Sequence, residues 1–120
     1  MANVLVVDDA MFVRHTIRNM LEAHGHTVAG EADNGITALE RYEEVKPDIV
    51  LLDITMPDMG GIEVLKKLKE KDPKVKVVMC SSMGQQSMIA NAIQEGAVDF
   101  VIKPFKEEQV IAAIEKALVK

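Results

Sequence analysis

Short apolar runs lie at 3–7, 27–32, 49–52, 75–80 and 100–102, and longer amphipathic stretches separate them. Val4-Leu5-Val6-Val7, Ile49-Val50-Leu51-Leu52 and the run from Val75 to Cys80 are rich in β-branched residues and show no polar alternation. Strands of that kind are covered on both faces. The second run, Thr27 to Ala32, is more polar and belongs at a sheet edge. The stretches between carry helical spacing. Val110, Ile111, Ile114, Ala117 and Leu118 share one stripe, as do Ile62, Leu65 and Leu68; Phe12, Ile17, Met20 and Leu21 form a third. Asn34-Gly35, Lys46-Pro47-Asp48, Asp58 to Gly61 and Lys71-Asp72-Pro73 read as loops. The expected fold is α/β: a (βα)5 chain whose right-handed crossovers give a doubly wound, five-stranded parallel sheet.

The totals narrow the classes of function. With 120 residues and 48% hydrophobic content, the chain reads as one domain, 1–120, with a real core and no output domain. A net charge of -5 disfavours nucleic acid and anionic membranes as partners. Cys80 is the single cysteine, which excludes an internal disulfide and a Cys-rich zinc site. No run approaches the about 20 apolar residues of a membrane span, and no signal-peptide pattern opens the chain. A soluble, cytoplasmic, monomeric protein is the expectation.

Chemistry gathers at the ends of the runs. Asp8 and Asp9 follow the first, Asp53 the third, Ser81 the fourth and Lys103 the fifth. In a doubly wound sheet of flavodoxin-like order, ligands bind outside the carboxyl ends of the strands, where the first and third strands are neighbours. Three crowded carboxylates repel unless a cation intervenes, and an oxygen-only, incomplete set suits Mg2+. Capping of the next helix is the alternative for Asp8 or Asp9. Lys103 can neutralise a bound phosphoryl group, Ser81 can donate a hydroxyl to it, and Ser82, Gly84 and Ala90 leave room for it. Lys103-Pro104 is a candidate cis bond. A carboxylate can itself take the phosphoryl group, and Asp53, followed by the loop-like Ile54-Thr55-Met56-Pro57, is the candidate.

Val-Val-Asp-Asp at 6–9, Leu-Leu-Asp-Ile-Thr-Met-Pro-Asp-Met-Gly-Gly at 51–61, Ser81, and Phe-Val-Ile-Lys-Pro-Phe at 100–105 together resemble the receiver domain of bacterial two-component response regulators. The resemblance covers nearly the whole chain, and Cys-Ser-Ser-Met-Gly-Gln-Gln at 80–86 is similar to stand-alone chemotaxis receivers. It implies strand order 2-1-3-4-5 and a phosphoacceptor, Asp53, served by a sensor histidine kinase. It implies Mg2+ on Asp9, Asp53 and the Thr55 backbone carbonyl, with Asp8 acting through water. Lys103 would contact the phosphoryl group, and Ser81 and the ring of Phe100 would move in concert. The face of the fourth helix, fifth strand and fifth helix would then dock a flagellar switch protein or another effector. A phosphatase is a further candidate partner. Phe100 lacks the hydroxyl of the commoner Tyr, so its switching must rest on ring packing. Thr55 and Met83 flank the phosphoryl position and are expected to tune water access.

Three rival functions remain in view. One is a phosphorelay intermediate that passes the group onward. Another is an aspartate-nucleophile phosphohydrolase, which resembles D-x-D-x-T; here Thr55 stands where the second Asp would be. The third is a flavodoxin or nucleotide-binding module, which needs a Gly- or Ser/Thr-rich loop where this chain has Asp8-Asp9-Ala10-Met11. His24 and His26 fall in an expected turn, His15 on a helix surface, and Cys80 reads as a small core residue. Met11, Met56, Met59, Met83 and Met88 are expected near the pocket rim, as gap-fillers or an adaptable docking surface.

Overall fold

Strands and helices alternate through the computed structural model, which describes residues 1–120. They are β1 (Asn3–Val7), α1 (Met11–Ala23), β2 (Thr27–Ala32), α2 (Gly35–Val45), β3 (Ile49–Asp53), α3 (Gly61–Lys71), β4 (Val77–Ser81), α4 (Gln86–Gln94), β5 (Asp99–Ile102) and α5 (Glu107–Leu118). Neighbouring strands pair in parallel in the order β2-β1-β3-β4-β5. This is the expected doubly wound, flavodoxin-like sheet, with the polar second run at one edge.

The unbroken apolar runs have a simple cause. Leu5, Val7, Val50, Leu52, Val77 and Met79 join Ala38 of α2, Val64, Leu65 and Leu68 of α3 and Ala92 of α4 in one core. Val4, Val6, Ile49, Leu51, Val78 and Cys80 face the other way, onto Ile17 and Leu21 of α1 and Ile111, Ile114 and Ala117 of α5. Successive residues of a strand point to opposite faces, so covering both faces requires every position to be apolar. Truncating a Leu in either layer to Ala costs about 3 kcal/mol. The helices are not equally anchored. α3 buries Gly61, Val64, Leu65 and Leu68, whereas α4 buries only Ala92.

Local chemistry corrects four expectations. Phe12 is not on the core stripe of α1: it is 80% exposed, in the first turn of a helix that starts at Met11 and buries only Ile17 and Leu21. Met20 is only half-buried. Asn34-Gly35 is a helix start: the Asn34 side chain accepts a hydrogen bond from the Thr37 N–H and Gly35 is the first residue of α2. His26 is buried beyond the turn, and its Nδ1 accepts the Ala2 N–H at 3.0 Å, which satisfies the amide just ahead of β1.

Candidate functional site

The carboxyl ends of β1, β3 and β4 form one floor, set by parallel register: Val7 lies opposite Leu52, and Asp53 opposite Cys80. Asp53 is the last residue of β3 and Ser81 the last of β4, so both belong to the strands the sequence placed before them. Asp8 follows β1 and is 1% exposed; Asp9 is exposed. Asp8, Asp9 and Asp53 each offer an oxygen, and these lie within 4.8 Å of one another.

Each side chain is held by identifiable contacts. Asp8 Oδ1 accepts the Ala10 N–H at 2.9 Å, while Oδ2 accepts from Lys103 Nζ at 2.8 Å. The N-cap of α1 is Ala10, with no side-chain cap, so neither acid caps that helix; Asp8 instead closes its own turn. Arg14 reaches back from α1 and donates to the Asp8 carbonyl at 2.6 Å, and its Nε donates to Glu31 at 2.9 Å. Lys103 Nζ also lies 3.4 Å from Asp53 Oδ2. The Lys103–Pro104 bond is cis. Gly61 packs so tightly under the site that an added Cβ would overlap the Asp53 carbonyl.

Electrostatics follow from this crowding. Burial, and then the charge of Asp8, push the Asp53 carboxyl up to about 6, against the opposing pull of Lys103. Burial alone would lower Lys103, but its hydrogen bond to Asp8 and the charge of Asp53 outweigh that and raise it. One ammonium thus serves two buried carboxylates, with a third acid beside them. Hard oxygen donors this close, still short of positive charge, fit a small hard cation, and Mg2+ matches that chemistry.

The remaining candidates have distinct surroundings. Ser81 is fully buried, and its Oγ has no hydrogen-bond partner. Thr55 is exposed, and its Oγ1 accepts from Gln85 Nε2 at 3.0 Å. Phe100 pairs with Met79 across the sheet, is 38% exposed, and lines a groove of about 390 Å³ with Ile102, Ala112 and Lys116. Met11 and Met83 are exposed, Met59 is half-buried and Met56 is buried. Ala90 is exposed on α4. Cys80 is buried, and burial raises its thiol; His15 is exposed.

The sequence reading missed Arg14, and it held Gln85 and Asp58 only as motif and loop positions without their contacts. Asp58 accepts the N–H groups of Gly35 and Ile36, and so fixes the β3–α3 loop against the start of α2. Helix capping rules look within a few residues, and this cap comes from 23 residues away.

Comparison with known proteins agrees with this architecture. The response regulator receiver domain family matches residues 4–115. The chemotaxis protein CheY of Listeria monocytogenes is 53% identical over 117 residues, covering 98% of each chain. CheY of Thermotoga maritima is 50% identical over 113 residues, covering 94% of each. Among solved structures, the CheX–CheY–BeF3–Mg2+ complex from Borrelia burgdorferi contains a chain that superposes with a TM-score of 0.93 at 32% identity, covering 98% of this chain and 90% of that one. No helix is long and apolar enough to cross a membrane. By its fold, its crevice of three acids and a lysine, and its likeness to CheY proteins along nearly its full length, the chain belongs to the response regulator receiver family and is a CheY-like signalling switch.

Proposed function

We propose that Asp53 is the phosphoacceptor of a chemotaxis phosphorelay. A carboxylate oxygen of Asp53 attacks the phosphorus of a phosphohistidine on a sensor kinase. The P–N bond breaks, and the imidazole nitrogen leaves with its electron pair. The observation that carries this reading is the placement of Asp53: 5% exposed, destabilised as an anion by burial and then by Asp8, with Lys103 3.4 Å away. A group so placed gains by passing its charge to a phosphoryl group that neighbouring cations can share.

Asp9, Asp53 and the Thr55 carbonyl would hold Mg2+, with Asp8 contributing through water. When bound, the ion supplies charge neutralisation for the carboxylates and the phosphoryl oxygens. Lys103 supplies the second cation. Ser81 carries a buried hydroxyl without a partner, a donor in reserve for a phosphoryl oxygen. Its shift toward that oxygen opens space that the ring of Phe100 can take up. The α4–β5–α5 face is the output surface, since α4 is the least buried helix and Phe100 opens onto the groove against α5. A flagellar switch protein is the effector proposed, in keeping with the chemotaxis relatives. Hydrolysis of the aspartyl phosphate is slow, because Thr55 stands where a second acid would activate water.

The test is incubation with acetyl phosphate, with and without Mg2+. One acid-stable, alkali-labile phosphoryl group is expected, absent in Asp53→Asn and in metal-free buffer. Labelling of Asp53→Asn at the wild-type level would overturn the assignment.

A further inference from the structure

Two loops flank Asp53, the one after β3 that carries Thr55 and the one after β4 that carries Ser82, and a single side chain joins them. Gln85 Nε2 donates to Thr55 Oγ1 at 3.0 Å, and Gln85 Oε1 accepts the Ser82 N–H at 2.6 Å. Both ends of the carboxamide are used, each on a different loop. Gln85 is also the N-cap residue of α4, whose first turn has no side-chain cap.

We propose that Gln85 is a positioning residue that straps the β4–α4 loop to the β3–α3 loop across the mouth of the Asp53 site. This rests on Asp53 being the phosphoacceptor. The strap holds Thr55 and Ser82 at one separation, and so limits the approach of water to a phosphoryl group on Asp53. It also restrains the backbone next to Ser81, whose free hydroxyl sits one residue from the strapped N–H. Little else holds this end of α4: Ala92 is its one buried residue, Gly84 just ahead of it has φ +90, and Met83 is 80% exposed. The strap therefore links what happens at Asp53 to where α4 begins. Neither hydrogen bond lies in the core, so losing them loosens the mouth and leaves the fold in place.

The test is a cycle of Gln85→Ala, Thr55→Val and the double variant, each phosphorylated with acetyl phosphate and followed after donor removal. Each single change is expected to shorten the phosphoryl lifetime about three- to tenfold, the worth of one ordinary hydrogen bond. The double variant is expected to be no faster than the faster single one, because both changes cut the same strap. In the unphosphorylated protein, Gln85→Ala is expected to speed hydrogen exchange at the Ser82 amide, with the melting temperature within about two degrees of wild type. Wild-type lifetime in Gln85→Ala, multiplicative effects in the double variant, or unchanged Ser82 exchange would each overturn the strap. A wild-type protein that takes no label overturns the phosphoacceptor reading instead, and the exchange experiment still decides whether the strap exists.

Discussion

Lys103 Nζ lies 2.8 Å from Asp8 Oδ2 and 3.4 Å from Asp53 Oδ2, so the ammonium favours the acid that is not the proposed phosphoacceptor. In this arrangement the lysine occupies part of the charge field a divalent cation would use. A cation that satisfied the acids would weaken the hold of Asp8 on Lys103 and leave the ammonium free for a phosphoryl group on Asp53. Removing the ammonium should therefore help the metal and harm the chemistry. Lys103→Met is expected to bind Mg2+ about tenfold more tightly, since a positive charge within a few Å is lost. Calorimetric or NMR titration reads the affinity. Weaker binding in Lys103→Met would show that the lysine organises the acids more than it competes for them.

Gly61 is a second point where backbone and site meet. Its N–H donates to the Ile54 carbonyl at 2.7 Å, and a Cβ there would collide with the Asp53 carbonyl and Ile54 Cα. Both obstacles are backbone and cannot swing aside. Gly61→Ala is expected to cost about 2–3 kcal/mol by denaturant unfolding. It should also reduce labelling of Asp53 by acetyl phosphate, because the relief of the clash shifts the end of β3.

The legible parts of this molecule share one property: they follow from chain-local patterns. Ile49 to Leu52 announces a buried strand by unbroken apolarity, and Asp53 announces the site by breaking that run. The sheet order then brings Asp8, Asp53 and Lys103 together without any further information. What stayed hidden depends on distant partners. Phe12 has the spacing of a core residue, but it stands in the first turn of α1 and is left exposed, since the spacing does not say which turns of a helix meet the sheet. His26 has a turn-like context, yet it pairs with Ala2 across 24 positions. Gln85 reaches Thr55 across 30 positions, and no periodicity marks such a bridge.

Acid should remove stability at the carboxylates that folding favours in their charged form. The hydrogen bond from Arg18 to Glu31 is the main reason that carboxyl sits below its ordinary value, with Arg14 helping. A carboxyl lowered in the folded state adds stability above its unfolded pKa, and this is lost as pH falls through the folded one. Glu31→Gln is therefore expected to destabilise the protein by about 1 kcal/mol near pH 7, a modest figure because the pair is partly exposed. The gap to wild type should close as pH drops through about 4.5 and below, and urea midpoints measured from pH 7 to pH 3 follow it. A gap that is constant with pH would mean that Glu31 acts by packing.

Ser81 offers the sharpest separation of stability from function. Its Oγ is fully buried without a partner, and a buried hydroxyl that makes no hydrogen bond costs the folded state about 1–3 kcal/mol relative to one that does. Ser81→Ala removes that penalty and loses little packing, since the two side chains differ by one oxygen. The variant is expected to be more stable than wild type by about 0.5–1 kcal/mol in thermal or denaturant unfolding. Acetyl phosphate should still label it at Asp53, because the hydroxyl is not the nucleophile. The response of Phe100 to phosphorylation, read by NMR of the ring, is expected to shrink, because the donor that follows the phosphoryl oxygen is gone. A less stable Ser81→Ala would mean that the hydroxyl already has a partner in solution, such as a bound water, and the switch would then start from a satisfied group.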